Sequence, residues 1–154
     1  MPQFSDKSKN RLATCHVALQ RLFNAVIDRR DCTILCGRRS RAEQNRLYNM
    51  RPRRTHVRWP HSKHNVLDPA DLSEAVDVAP WVPGTGVPWP QRGHRHYIKH
   101  LALWYNFAGY VQALAEDLFV PIRWGGDWDG DHIYTDQTFD DLVHFELIVR
   151  GENK

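Results

Sequence analysis

One alternating stretch near the C-terminus carries residue types suited to metal chemistry. Residues 141–147 read DLVHFEL, so apolar side chains alternate with His144 and Glu146. This is the pattern of a strand with one apolar and one polar face. A carboxylate such as Asp141, just ahead of an inward-facing histidine, can act as a general base beside a metal ligand. The same pattern also fits a half-buried strand with one hydrogen-bonded histidine, so the rest of the chain has to decide.

Two further polar residues could complete a metal site. A catalytic zinc takes three ligands from His, Asp or Glu and leaves one position for water. His64 lies in a polar segment, and Asp77 lies between Val76 and Val78 on a short predicted strand. A buried, ionised aspartate needs a cation or a set of donors, because burying it alone is costly. Metal ligation would satisfy Asp77, and so would pairing with one of the nearby arginines.

Four motifs occur in a fixed order along residues 33–149. They are GRRSRAEQNRLY at 37–48, SKH at 62–64 followed by AVDV at 75–78, WGGDW at 124–128, and DLVHFEL at 141–147. Together they resemble the M15 family of zinc peptidases. The likeness is greatest to its phage branch, the L-alanyl-D-glutamate endolysins, and to their D-alanyl-D-alanine carboxypeptidase relatives. Four motifs in one order are far more specific than any one of them.

The resemblance implies a role for individual residues of these motifs. The zinc ligands would be His64, Asp77 and His144. Asp141 would be the general base that takes a proton from the attacking water, and Arg39 would support the scissile carbonyl or the oxyanion that develops from it. Residues expected to hold a ligand in place or to border the cleft are Gln44, Ser62, Trp124, Asp127 and Glu146.

The connection between His64 and Asp77 is longer than the family usually has. Residues 66–72 enlarge it, and such an insertion is tolerable because loop-closure entropy grows only slowly with length. Asp68 and Asp71 lie within this insertion and could compete as ligands. The strand context favours Asp77.

Hydrophobic periodicity predicts the elements that position these residues. Ser5 is expected to cap a helix through about Arg29, and Ser40 a second helix through about Met50, with Glu43 completing a capping box. The long apolar-periodic segment 97–118 predicts the main helix. Strands are predicted at 32–36, 75–79, 122–124 and 142–149.

These elements favour an α+β fold with a small, mainly antiparallel sheet and packed helices, because they lack regular βαβ alternation. The resemblance implies that the arrangement is like that of hedgehog proteins and DD-peptidases. At 154 residues, the chain is expected to form a single peptidase domain over 1–154. Nothing in the sequence predicts an oligomeric state.

Charge and cysteine content limit the classes of partner. Cys15, Cys32 and Cys36 are too few for a disulfide framework and lack C-x-x-C spacing, so they are interpreted as buried or free thiols and not as zinc ligands. The net charge of +3 is modest, but arginines crowd residues 38–58. That cluster could bind the carboxylates of a peptide or wall surface, follow nucleic-acid phosphates, or be a plain solvated face. We expect no nucleic acid as partner.

Two other clusters of polar residues are interpreted as surface features and not as metal sites. His94, His96 and His100 are expected to be exposed histidines on a first helical turn, since no glutamate completes an H-E-x-x-H pattern. The acidic loop that begins at Asp127 has its glycine and its twelfth residue wrong for an EF-hand, so it is interpreted as a solvated loop near the mouth of the site.

The favoured hypothesis is a zinc-dependent peptidoglycan peptidase that cuts an amide bond of the stem peptide, either L-alanyl-D-glutamate or D-alanyl-D-alanine. No apolar run is long enough to span a bilayer, and residues 1–10 lack the apolar core of a secretory signal. We therefore expect synthesis in the bacterial cytoplasm and action at the wall after release, as in a phage or prophage endolysin. The alternative is a non-catalytic, hedgehog-like relative that binds a metal or a partner.

Overall fold

The computed structural model describes residues 1–149 and contains a four-stranded sheet with helices packed against it. The helices are α1 (Asp6–Leu12), α2 (Val17–Ile27), α3 (Arg41–Asn49) and α4 (Tyr97–Asp117). The strands are β1 (Cys32–Cys36), β2 (Ala75–Pro80), β3 (Ile122–Gly125) and β4 (Asp141–Leu147). The strand order is β1-β2-β4-β3, and every neighbouring pair is antiparallel. The predicted α+β class with an antiparallel sheet is confirmed, while residues 150–154 of the predicted domain lie outside the described residues.

Both predicted serine caps begin a helix. The Ser5 hydroxyl accepts a hydrogen bond from the Ser8 amide, and the Ser40 hydroxyl accepts one from the Glu43 amide. The predicted capping box is only half formed, because the Glu43 carboxylate pairs with the Arg46 guanidinium at 2.8 Å. The Glu43 carboxylate therefore forms an ion pair with a residue one turn along the helix, instead of turning back toward the backbone amide of the cap residue Ser40.

The single helix predicted through Arg29 is wrong, since the chain breaks between α1 and α2. Cys15 forms a parallel bridge with Ser73, and the His16 amide donates to the Ser73 carbonyl at 2.8 Å. The His16 ring then caps α2 by accepting from the Ala18 amide at 3.2 Å. The helix break therefore comes from a contact with a distant segment. The hydrophobic periodicity of this stretch is continuous and gives no sign of the break.

The register of β2 against β4 separates a core face from a polar face. Val76 is paired with Phe145, and Asp77 is paired with His144. Paired residues on antiparallel strands share a face, and successive residues alternate between faces. Phe145 packs in the core against Phe23, with ring centroids 5.5 Å apart. Asp77 and His144 consequently project together from the opposite side of the sheet.

A glycine allows β3 and β4 to approach closely at the end where Asp141 lies. A Cβ atom on Gly125 would overlap the carbonyl oxygen of Asp141. Gly125→Ala should therefore destabilise the protein by about 1–3 kcal/mol and lower the melting temperature by several degrees. Thermal unfolding followed by circular dichroism would measure the shift.

Gly109→Ala is the matched control, because Gly109 is an exposed position of α4 where an added Cβ has no atom within 4 Å. Alanine in a helix interior is favoured over glycine by roughly 0.5–1 kcal/mol, so this variant should melt slightly above the parent. Equal melting temperatures for the two variants would contradict the close approach.

Among residues 1–149, no helix has the length and apolar character that a bilayer crossing requires.

Candidate active site

Three candidate ligand atoms meet on the polar face of the sheet. His64 Nε2 lies 2.9 Å from Asp77 Oδ1 and 3.2 Å from His144 Nδ1, and the last two atoms are 3.3 Å apart. A tetrahedral zinc with bonds of ~2.0–2.1 Å would separate its ligand atoms by ~3.3 Å. The three atoms therefore fit one ion with little rearrangement, and two nitrogens with one oxygen are a suitable donor set for zinc.

His64 comes from the connection between α3 and β2, and hydrogen bonds on several sides hold it in place. Its ring Nδ1 lies 2.7 Å from the Gly37 carbonyl oxygen, which can only accept, so Nδ1 carries the proton. Its backbone carbonyl accepts from the Arg39 amide at 2.9 Å, and its amide donates to the Ser62 hydroxyl at 3.3 Å. The Nε2 atom is thereby directed at Asp77 and His144.

His144 is oriented by the residue that follows it on the same face of β4. Its Nε2 lies 2.9 Å from Glu146 Oε2, which turns Nδ1 toward the other two ligand atoms. Glu146 in turn lies 3.4 Å from an Arg123 nitrogen, and the Trp128 ring packs 5.5 Å from the His144 ring. The predicted role of Glu146 in holding a metal ligand stays a prediction, and the structure places its carboxylate in hydrogen-bond contact with His144.

The three residues are strongly coupled electrostatically. Burial alone would lower the pKa of His64, but the Asp77 carboxylate and smaller contributions raise that pKa to about 10. Burial also opposes ionisation of Asp77, yet the two histidines hold the pKa of its carboxyl well below the usual range. A cation bound here would replace protons on the imidazoles, so binding would release protons and weaken as the pH falls.

Comparison with known proteins identifies the family of this chain. A model of the phage L-alanyl-D-glutamate peptidase family matches residues 1–148. The chain belongs to the phage L-alanyl-D-glutamate peptidase family. This membership confirms the resemblance predicted from the four motifs, and it makes the protein a hydrolytic enzyme that acts on peptidoglycan.

One solved structure shows the same fold. The peptidase is similar to the L-Ala D-Glu endopeptidase ChiX of Serratia marcescens, with a TM-score of 0.66 and 20% sequence identity. The match covers 95% of this chain and 90% of the other. At that level of identity the likeness is evidence for the fold. Comparison with curated protein sequences gives no match.

The peptidase carries a partly buried carboxyl group at the start of β4. Asp141 pairs with Gly125 across the β3–β4 ladder. Burial raises the pKa of the Asp141 carboxyl, and the negative charge of Asp77 raises it further, while His144, His64 and Arg39 oppose the rise. A carboxylate with a raised pKa is a better proton acceptor than an ordinary surface aspartate.

Arg39 contacts the candidate ligand set directly. Its Nη2 donates to Asp77 Oδ2 at 2.9 Å, and its Nη1 donates to Gln44 Oε1 at 3.1 Å. Gln44 is fully buried and donates through Nε2 to the Val57 carbonyl at 2.7 Å. Asp77 is therefore paired with an arginine and with two histidines at once. The role of Arg39 in stabilising the oxyanion stays a prediction. The structure shows in addition that Arg39 binds the Asp77 carboxylate.

Two residues expected to hold a ligand in place or to border the cleft are almost fully buried in the peptidase. Trp124 is paired with Phe145 and is 1% exposed, so it packs in the core, and it also lines a cavity along β3. Asp127 is also 1% exposed and accepts hydrogen bonds from the Gly130 and His132 amides. The first carboxylate of the acidic loop is therefore buried and holds the turn, whereas residues 129–136 are exposed.

The insertion before Asp77 does not supply a ligand. Asp68 and Asp71 are both exposed, and Asp68 accepts from the Ala70 amide within its own turn. The alternating strand pattern around Asp77 was therefore a better guide than proximity to His64. The longer connection is accommodated at the surface of the peptidase.

Sequence reasoning missed Cys36, which lies beside the candidate site. Its sulfur and one ligand atom each of His64 and Asp77 lie within 4.8 Å of one another, a group that could hold a metal ion. In a regular strand Cys36 would share the core face of Ile34, but the register shifts between these two residues, and Cys36 is paired with Asp77. A β-bulge re-aims a side chain in this way, and no feature of the sequence marks it.

A cavity of about 470 Å³ runs along β3 next to the site. Its wall includes Phe119, Ile122 and Trp128. Trp128 touches His144, and Arg123, which also lines the cavity, reaches Glu146. The supporting residues of His144 are therefore also walls of a space that opens beside the candidate site.

Removing the charge behind His144 should weaken metal binding without unfolding the protein. In Glu146→Gln the acceptor of the His144 Nε2 proton becomes neutral, so the imidazole is less basic and less firmly oriented. Loss of such a partner typically costs 10–100-fold in metal affinity. Competition with a chromophoric zinc chelator would measure the dissociation constant.

Glu116→Gln makes the same chemical change at an exposed position of α4 and should leave zinc affinity at the parent value. If the two variants bound zinc equally well, Glu146 would have no role in holding His144.

Proposed function

We propose that the protein is a zinc-dependent peptidase that hydrolyses the L-alanyl-D-glutamate amide bond of the peptidoglycan stem peptide. Family membership supports the reaction and the bond. The observation that carries zinc dependence is the triangle of His64 Nε2, Asp77 Oδ1 and His144 Nδ1, whose sides of 2.9–3.3 Å suit one tetrahedral ion.

The chain's own residues divide the work of an amide hydrolysis. Zinc, when bound, supplies a Lewis acid and lowers the pKa of water. Asp141 would accept a proton from the attacking water and return it to the leaving amine, a role that its raised pKa favours. Arg39 keeps Asp77 in its ionised, ligand-ready orientation through the 2.9 Å contact and adds positive charge beside the developing oxyanion.

The proposed setting is lysis of a bacterium by a phage or prophage. The enzyme would be made in the bacterial cytoplasm and would reach the wall once the membrane is breached. The family description supports this setting, since it names phage peptidases.

Digestion of purified peptidoglycan by the zinc-loaded protein tests the proposal. We expect mass spectrometry to find peptides that begin with D-glutamate, together with glycan fragments that retain L-alanine. Release of free D-alanine would instead show cleavage of the D-alanyl-D-alanine bond and overturn the bond assignment. No cleavage by protein with bound zinc would favour the non-catalytic alternative.

A further inference from the structure

The segment 38–58 concentrates positive charge on one part of the molecule. It contains eight arginines and one acidic residue, Glu43, a net of +7, whereas the whole chain carries +3. The remaining residues are therefore net negative. We call this segment the arginine face; its arginines are Arg38, Arg39, Arg41, Arg46, Arg51, Arg53, Arg54 and Arg58.

The arginine face adjoins the candidate active site. Arg39 belongs to the face and donates to Asp77 Oδ2 at 2.9 Å. Gln44 ties Arg39 to the far end of the segment, because it accepts from Arg39 and donates to the Val57 carbonyl at 2.7 Å. Farther along, the His56 ring packs 4.4 Å from the ring of Phe139, two residues before Asp141. A polymer held on this face would pass close to the site.

Several guanidinium groups of the face are held by contacts that leave their edges available. Arg53 and Arg58 lie over the Tyr48 ring, 4.3 Å and 4.7 Å from its centroid, and both arginines are exposed. Arg51 donates to backbone carbonyls at the end of α3. A guanidinium that stacks through its flat side keeps N–H groups at its edge, and those groups match a carboxylate bidentately.

We infer that the arginine face binds carboxylates of uncut peptidoglycan on stem peptides that neighbour the one being cleaved. This inference rests on the proposed function. Each stem peptide with an L-alanyl-D-glutamate bond carries a spare glutamate carboxylate, so the wall repeats this anion at short intervals. A nucleic acid is the weaker fit, because Tyr48 is covered by two guanidinium groups and offers no open ring for base stacking.

The test compares two double charge reversals that alter net charge equally. Arg53→Glu/Arg58→Glu changes the arginine face, and Arg29→Glu/Arg92→Glu changes exposed arginines elsewhere. Binding to purified, insoluble peptidoglycan is measured by pelleting, with Asp141→Asn added to each protein so that the wall stays intact. We expect about tenfold weaker binding for the face variant, a smaller loss at high salt, and a change below about twofold for the control.

A second assay separates binding from catalysis. The two double variants are made again without Asp141→Asn, and their cleavage of a short, soluble L-alanyl-D-glutamate peptide is measured. Both variants should cleave it within about twofold of the parent. If the parent does not cleave the short peptide, the proposed function is wrong. If the parent cleaves it but the face variant binds peptidoglycan as tightly as the parent, only the inference about the arginine face is wrong. Arg41→Glu/Arg54→Glu, also at exposed positions, repeats the test should the first variant unfold.

Two further outcomes would overturn the inference. Equal losses in the face and control variants would show a general charge effect with no local surface. Duplex DNA that competed more strongly than peptidoglycan at ~150 mM salt, and only with an intact arginine face, would identify a nucleic acid as the partner.

Discussion

Asp141→Asn should lower the rate of stem-peptide hydrolysis by about 10²–10⁴-fold while leaving the metal site intact. The amide has nearly the shape of the carboxyl group but cannot take a proton from water, and general-base catalysis is worth roughly that factor. Asp141 also lies outside the triangle of ligand atoms that His64, Asp77 and His144 form. Release of amino groups from purified peptidoglycan measures the rate.

Asp140→Asn is the matched control, because it makes the same chemical change one residue earlier at an exposed position. It should cleave at the parent rate. Zinc content and melting temperature of Asp141→Asn should also equal those of the parent, which separates a lost base from a lost fold. Cleavage by Asp141→Asn at the parent rate would mean that another group takes the proton.

The part of the site that the sequence predicts well is the part built on strands. The alternation around His144 sets which side chains share a face, and the same holds for Asp77. The β2–β4 register then pairs these two residues directly. The local patterns give the face of each residue, whereas the pairing of the two strands comes from the structure. Before it, only the resemblance to the zinc peptidases implied that Asp77 and His144 meet.

Other features depend on contacts between distant segments, which no local pattern records. The break between α1 and α2 exists because His16 bonds to Ser73. Cys36 faces the site because of a bulge against Asp77. Trp124 lies in the core because the β3–β4 register pairs it with Phe145, and a one-residue slip would have turned it to the other face.

His64→Gln should abolish both zinc binding and catalysis. The parent is expected to hold about one zinc per chain, and the variant less than about a tenth of that, since only two of three ligands remain. Hydrolysis should fall by at least about 10³-fold, because the Lewis acid is lost together with the ligand. Elemental analysis after dialysis gives the zinc content, and the peptidoglycan assay gives the rate.

The control lies in the same connection of the chain. His61 is exposed and precedes His64 by three residues, so His61→Gln should keep the zinc content and activity of the parent. A parent stripped with chelator should recover on adding zinc, while His64→Gln should not. Circular dichroism shows whether His64→Gln still folds, and Asp77→Asn repeats the test at a second ligand if it does not.

The same assay decides which third residue completes the metal site. Cys36 and His144 both lie next to His64 and Asp77, but the Nδ1 atom of His144 is within 3.3 Å of each partner atom, the spacing that a tetrahedral ion requires. Cys36→Ser should therefore keep zinc and activity, whereas His144→Gln should lose both. The reverse result would make Cys36 the ligand and would leave His144 as a histidine held between two carboxylates.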